Sequence, residues 1–456
     1  MKLKVLNIVI SMFITACAIT SCLDSDVTEY EYSSNASITA FSITDSIVTY
    51  HQVFREDLTD TMIGTSVLGA NYPFIINQNE GLIYNADSLP FGTDISKVVV
   101  DITADTYGIY IVAETDSLWE EGDSLDFRNP VLFKVVSEMG TFGRTYTARI
   151  NVHQQDPDIL SWKKIENNLS TALQAQKAVY MNDCIYVFAE QQAQVAMTKS
   201  TDGKDWSTLE AIDIPVKAEY SSVIVWKDRL YILADQSLYT SNNGINWSKV
   251  ETEQSFNQLL AYIHNDNCSK IMGVDSENYY IESEDGINWN RYDKLPDDFP
   301  ESGHEFVNYP LDTNDKISRT ILLGDNKEPS DTTTTVWMQI NSSHDWTSLS
   351  MEDETHACPT LENAALIRYN DNLYTFGGKG KNIDAFSKFF ISIDNGITWE
   401  AVTKDLSFPE EFKDLYEQAK GNYSYIIDND QYLWIIWSQT AEVWRGRINK
   451  FGFEKQ

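Results

Sequence analysis

The sequence is short of positive charge: 34 Lys and Arg stand against 68 Asp and Glu, a formal net charge of -34. So acidic a surface repels phosphate backbones and anionic head groups, which excludes a nucleic-acid-binding role. Cysteine is scarce as well, with five in the chain. Two lie near the N-terminus, and Cys184, Cys268 and Cys358 are too far apart, and odd in number, to make a disulfide framework or a C-x-x-C metal knuckle. They are expected to be buried small hydrophobes. The six histidines, His51, His153, His264, His304, His344 and His356, show no His-Glu-x-x-His spacing. There is no Gly-x-Ser-x-Gly elbow, Walker loop or dinucleotide fingerprint. Gly377-Gly378-Lys379-Gly380 lacks the Ser/Thr and the helix of a P-loop and reads as a plain loop. No Asp-x-Asp-x-Asp spacing supports a calcium site. Neither a metal nor a cofactor is expected.

What the chain does have is apolar and aromatic material, 42% and 12% of 456 residues, enough for packed cores and too much for disorder. Its length points to two unequal domains.

At the N-terminus, Lys2 and Lys4 precede an apolar run from Val5 to Ala18, the basic and apolar regions of a secretory signal, and too short for a membrane span. The run ends in Ile19-Thr20-Ser21-Cys22, which resembles a bacterial lipobox. That resemblance implies cleavage after residue 21 and lipid on the Cys22 thiol. Ile14-Thr15-Ala16-Cys17 fits the same pattern, but Cys17 is followed by apolar residues and Cys22 by the acidic Leu23-Asp24-Ser25-Asp26, so Cys22 is the expected acylation site. Acidic residues after the lipidated Cys are similar to the surface-export signal of Bacteroidota lipoproteins, which implies anchoring on the outer membrane, exposed at the cell surface. Residues 22–36 are polar and acidic and read as a tether.

From residue 37 to 153 the pattern is one of short alternating runs: Ser37–Ile43, Lys97–Ile102, Gly108–Val112, Val131–Val136 and Tyr146–Val152. Period-two alternation of β-branched and aromatic residues, cut by Gly, Asp and Asn, predicts strands packed as a sandwich. The region resembles bacterial immunoglobulin-like modules, without the Cys pair of a true immunoglobulin domain. The polar Gln154-Gln155-Asp156-Pro157-Asp158 marks the boundary, and residues 158–456 form the second domain.

That second domain is repetitive. Ser200-Thr201-Asp202-Gly203-Lys204-Asp205-Trp206, Ser241-Asn242-Asn243-Gly244-Ile245-Asn246-Trp247, Ser283-Glu284-Asp285-Gly286-Ile287-Asn288-Trp289 and Ser392-Ile393-Asp394-Asn395-Gly396-Ile397-Thr398-Trp399 share one form, and Ser342-Ser343-His344-Asp345-Trp346 is a worn copy. Asp or Asn can bond the backbone of its own turn, Gly accepts positive φ, and the Trp packs the turn against its sheet. The tryptophans fall 41, 42, 57 and 53 residues apart, the period of a four-stranded propeller blade. Upstream of the boxes, Asn182-Asp183, Lys227-Asp228 and Asn370-Asp371 read as tight hairpins, with weaker copies at Asn265-Asp266-Asn267 and Asp428-Asn429-Asp430, and a strand pair is expected between Phe306 and Leu323. Counting hairpins predicts six blades. Closing the ring requires Ile159–Ile165 to join the C-terminal blade.

These motifs resemble the Asp-box, or bacterial neuraminidase repeat, of sialidase-like propellers. The whole arrangement is similar to a family of uncharacterised two-domain surface lipoproteins of Bacteroidota. The fold class expected is therefore all-β, an immunoglobulin-like β-sandwich followed by a six-bladed Asp-box β-propeller. Sialidase chemistry needs an Arg cluster, a Tyr paired with a Glu, and an Asp acid. The propeller offers only Arg229, Arg291, Arg319, Arg368, Arg445 and Arg447, and the Arg-Ile-Pro signature of those enzymes is absent. The expectation is a binding module without catalysis, taking a glycan or a surface protein. The rivals are a propeller glycoside hydrolase or lyase with facing channel carboxylates, and a structural partner of an outer-membrane uptake complex, which would show an exposed apolar patch. Among the tryptophans outside the boxes (Trp119, Trp162, Trp226, Trp337, Trp434, Trp437 and Trp444), an exposed ring at a propeller mouth would stack on sugars. A Trp on a blade strand belongs more often to the core.

Overall fold

A computed structural model of the chain describes residues 34–44, 46–53, 61–140, 143–300, 302–325, 334–341, 343–349, 355–402 and 405–453. Cys22, the signal segment and most of the tether lie outside these residues. The chain is all-β and divides into two units between Gln154 and Gln155.

In the first unit, β1 (Ser37–Ile43) pairs antiparallel with Val98–Asp105 in a three-stranded sheet. A six-stranded sheet runs in the order Phe74–Asn77, Leu82–Asn85, Gly143–Arg149, Val131–Val136, Gly108–Ile111 and Ser117–Leu118, with one parallel pair between Leu82–Asn85 and Gly143–Arg149. Alternation buries one face of each sheet in a shared core, where Phe41 meets Phe74 and Phe133 at ring separations of 4.9 and 6.2 Å. The Tyr146 hydroxyl ties the two sheets together: it accepts from the Ile38 N–H at 3.2 Å and donates to Gln78 Oε1 at 2.8 Å. A separate hairpin, β2 (Ser46–Val53) and β3 (Thr61–Leu68), completes the unit. The alternating pattern of Val131–Val136 was visible in the sequence; β2, β3 and the strands at 74–85 were not.

The second unit holds six four-stranded antiparallel sheets. The first five each use consecutive strands and begin, in order, at Gln176–Met181, Ile224–Trp226, Phe256–His264, Glu305–Leu311 and Ala365–Tyr369. The sixth combines Tyr423–Ile427, Leu433–Trp437 and Val443–Ile448 with Leu160–Ile165, so the start and end of the unit meet edge to edge. Six apolar clusters each join one sheet to the next, and the last joins the fifth sheet back to the sixth through Phe376, Phe412 and Trp437. The first strands of neighbouring sheets run side by side at the centre. The hairpins after these strands turn as expected: Asn182 and Asp183, Lys227 and Asp228, and Asn370 and Asp371 all have positive φ at both central positions, the type I′ geometry that matches strand twist.

Candidate functional site

The boxes come first, because they carry the repeat. In the third sheet, Ser283 Oγ accepts from the Gly286 N–H at 2.8 Å, Asp285 Oδ1 accepts from the Ile287 and Asn288 N–H groups, each at 2.8 Å, and the Trp289 indole donates to Gly286 O at 3.0 Å. Asp202, Gly203 and Trp206 repeat this geometry, as do Asn243, Gly244 and Trp247. Asp394, Gly396 and Trp399 keep it with Thr398 as the partner of the carboxylate. The packing differs from the expected turn-on-own-sheet arrangement. A Cβ on Gly203 would fall 2.2 Å from the Trp434 ring of the sixth sheet, on Gly244 3.0 Å from Met197 of the first, and on Gly286 3.4 Å from Trp226 of the second. Each box is therefore a staple between its own sheet and the preceding one, and the absence of a side chain at the Gly is what permits the close approach.

Backbone donation to the carboxylates of Asp285 and Asp202 holds both below the usual carboxylate range. Groups with depressed folded-state pKa add stability that is complete above the unfolded value of about 3.9 and is lost as pH falls through the folded one. Asn243 occupies the same place without titrating. Asp285→Asn is thus expected to remove the part of the neutral-pH stability that depends on the charge and on the Asn288 Nδ2 bond to Oδ2, and to flatten the loss of stability below about pH 4, measured by thermal melts across an acid series.

The fourth sheet carries the worn box, and a charged network stands in its place. Glu282, from the third sheet, receives Lys270 Nζ at 2.5 Å and the Tyr280 hydroxyl at 2.5 Å on Oε1, and His344 Nδ1 at 2.8 Å on Oε2. The Lys270 and Glu282 side chains are each 6% exposed. Gln339 Nε2 donates to the Tyr280 hydroxyl at 2.8 Å, and Tyr292 stacks on His344 at 3.9 Å. The network joins the third and fourth sheets where the other boxes use Gly.

The boxes lie between third and fourth strands; the opposite ends of the sheets, where the first strands begin, form a polar mouth. Gln176 Nε2 donates to Ser424 Oγ at 2.9 Å, and Lys177 Nζ to Ser221 O at 3.0 Å. Tyr425, on the sixth sheet, donates to Glu305 Oε2 of the fourth at 2.8 Å and accepts from the Leu366 N–H of the fifth at 3.0 Å. Tyr423 donates to Asn363 O. His304 Nε2 lies 2.9 Å from Pro300 O, which fixes the proton on Nε2. Burial, with the field of Lys177 adding to it, holds the imidazole below its usual range and therefore neutral at pH 7. Glu219 and Asn257 are exposed at the same ends.

The Tyr425–Glu305 pair has the residue types of a sialidase nucleophile, but its environment opposes that chemistry. Burial, and then the Glu305 charge, push the Tyr425 phenol well above its ordinary value, away from phenolate. No described Arg shares the mouth's hydrogen bonds: Arg319 and Arg368 lie over Tyr309 and Arg445 and Arg447 over Tyr432. The pair is a strut that fixes the mouth. Among the described residues the tryptophans of the strands lie in or against the core, in keeping with the expectation for a Trp on a blade strand. Trp226, Trp337, Trp434, Trp437 and Trp444 are buried, and Trp119 and Trp162 are half-buried. A groove of about 480 Å³ beside His356, Lys381 and Glu400 lies on the fifth sheet, apart from the inner-strand polar groups. Among the described residues no three His, Cys, Asp or Glu side chains gather as metal ligands, and no helix is long and apolar enough to cross a membrane. Cys184 and Cys358 are buried and Cys268 half-buried, all as free thiols.

Fold and site together define a two-unit all-β protein whose second unit is a β-propeller. Residues 156–456 match the family described as the DUF6242 beta propeller domain and residues 29–150 the Domain of unknown function (DUF6242) N-terminal domain. The chain belongs to the DUF6242 family. No curated protein matches it. Among solved structures, a DUF4623 family protein from Bacteroides eggerthii is 11% identical at TM-score 0.36, covering 90% of this chain and 98% of that one. Virginiamycin B lyase from Staphylococcus aureus is 10% identical at TM-score 0.38, over 63% and 99%. An alpha-L-arabinofuranosidase, Arb93A from Fusarium graminearum, is 10% identical at TM-score 0.37, over 65% and 100%.

Proposed function

We propose that the chain is a cell-surface lipoprotein of the outer membrane whose propeller binds an extracellular glycan without turning it over. In this reading residues 1–21 are a signal peptide, Cys22 carries the lipid, residues 22–36 form the tether, residues 37–153 form an immunoglobulin-like stalk, and the six sheets of residues 158–456 are six blades around one channel. The observation that supports binding over catalysis is the mouth itself. Its phenol is held un-ionised between Glu305 and Leu366, its imidazole is neutral and tied to Pro300, and the remaining groups are amides, a carboxylate and one ammonium that hydrogen-bond hydroxyls. Ligand hydroxyls would be held by Lys177, Glu219 and Asn257 rather than by stacking.

A glycan array probed with the full chain, scored for retention and for released sugar, tests this. Retention without release is expected, with Lys177→Ala weakening it by about tenfold, the effect of losing a charge-assisted hydrogen bond of roughly 1.4 kcal/mol. Released sugar would overturn the reading and make Glu305 the first target. The anchor is tested separately: Cys22→Ala is expected to leave the protein unacylated and in the soluble fraction, and unchanged membrane fractionation would remove the lipid from the account.

A further inference from the structure

The hairpin of β2 and β3 stands apart from the glycan question and carries its own chemistry. Its register pairs Val48 with Ser66, Thr49 with Thr65 and Tyr50 with Gly64. The Tyr50 N–H donates to Gly92 O at 2.9 Å and Val48 O accepts from the Asp94 N–H at 2.9 Å, so these groups point away from β3. Tyr50–Gly64 and Val48–Ser66 are therefore the non-hydrogen-bonded pairs of the hairpin, and the backbone N–H and C=O groups of Gly64 and Ser66 point to the far edge of β3. By the same alternation so do those of Met62 and Leu68. Among the described residues nothing pairs with that edge.

Edge strands are ordinarily protected by charge, proline, bulges or shortness. β3 has none of these: its eight residues, Thr-Met-Ile-Gly-Thr-Ser-Val-Leu, carry no charge and no Pro and pair with β2 in unbroken register. In a chain of net charge -34, an uncharged strand is a place where two copies can approach. The exposed face of the hairpin is also apolar, with Leu68 62%, Val48 42%, Tyr50 42% and Met62 59% exposed in one stripe.

We propose that β3 is a homotypic docking edge, through which two copies of this chain pair antiparallel about a two-fold axis at Thr65. The free edge groups fix this register. With Thr65 opposite its own copy as a close, non-hydrogen-bonded pair, Gly64 exchanges both backbone bonds with Ser66 of the other copy, and Met62 with Leu68. The side chains then match as well: Met62 beside Leu68, Ile63 beside Val67, Gly64 beside Ser66, and Thr beside Thr. The same register keeps the buried faces of both hairpins on one side and fuses the two apolar stripes on the other.

The test is cross-linking of the full chain in mild detergent. In a non-hydrogen-bonded pair the Cα atoms lie about 4.5 Å apart, within disulfide range. Thr65→Cys is therefore expected to give a disulfide-linked dimer on mild oxidation, severalfold more than Ile75→Cys, an exposed position on a different strand, Phe74–Asn77. Adding Ser66→Pro, which removes an edge N–H, should abolish it. Raising the salt should increase the dimer by screening the like net charges. Circular dichroism of each variant reports its fold. A Thr65→Cys chain that folds but links no better than Ile75→Cys, or that links equally with Ser66→Pro present, overturns the proposal. So does a wild-type chain that sediments as a monomer at all salt concentrations.

Discussion

Lys270→Met is expected to cost the propeller about 3–5 kcal/mol, the usual penalty for stripping one partner from a buried ion pair. For a unit of this size that is a fall of roughly 6–10 °C in Tm. The reason is the position of Glu282. Its carboxylate is 6% exposed, and of its three partners only Lys270 is a permanent cation. With the ammonium gone, the carboxylate remains between the third and fourth sheets with only a hydroxyl and an imidazole as donors. Adding Glu282→Gln removes the stranded charge and is expected to restore at least half of the loss, because an amide still accepts from Tyr280. Calorimetry on the two single variants and the double variant closes the cycle. A double variant no more stable than Lys270→Met alone would mean that the network acts through shape rather than charge.

The second large effect is expected at the seam. Trp162 lies on the strand Leu160–Ile165, directly over Gly446 of its partner, where a Cβ would fall 2.7 Å from the ring. Its indole donates to Ser407 O at 2.8 Å, and its ring meets Phe412 at 5.0 Å and Phe408 at 5.9 Å. Trp162→Ala therefore removes contacts on three segments at once and is expected to cost about 3 kcal/mol. Gly446→Val, which drives a side chain into the same ring, should have a comparable effect from the opposite strand. Amide exchange is the discriminating measurement. Both variants should speed exchange in Leu160–Ile165 and Val443–Ile448 before any other strand, and uniform acceleration across all six sheets would show that the seam is not the weak point.

How much of this could be read from residues alone depends on distance along the chain. The boxes and hairpins are local: Ser283, Asp285, Gly286 and Trp289 lie within one turn, so residue type and spacing carry their geometry. That each box serves the preceding sheet was not legible, because Gly203 and Trp434 are brought together only by the ring. The mouth was less legible still. Lys177, Glu305 and Tyr425 come from strands of three separate sheets, with His304 just ahead of one of them, and each is an ordinary residue in its own segment. The sign of Tyr425's chemistry depends on burial that no local pattern reports. The worn box gave the one usable hint, since it keeps the Trp of the other copies and loses their Gly. Lys270 and Glu282, which complete its network, gave no signal. The hairpin β2–β3 escaped because only Ile47, Thr49 and Val67 of its alternating residues turn toward the core, while Val48, Tyr50, Met62 and Leu68 are exposed.

The seam also sets the order of events during synthesis. The Asn449 side chain reaches the Asp156 carbonyl at 2.8 Å across 293 residues of sequence. The strand that begins the ring must therefore wait, with one edge unsatisfied, until the last strand has been made. Five sheets can form as hairpins, but closure is a single late, long-range step, the kind that makes folding slow. A chain cut short by its last strand would leave Leu160–Ile165 without a partner and open one edge of Leu433–Trp437, and a quality-control protease would meet those edges first.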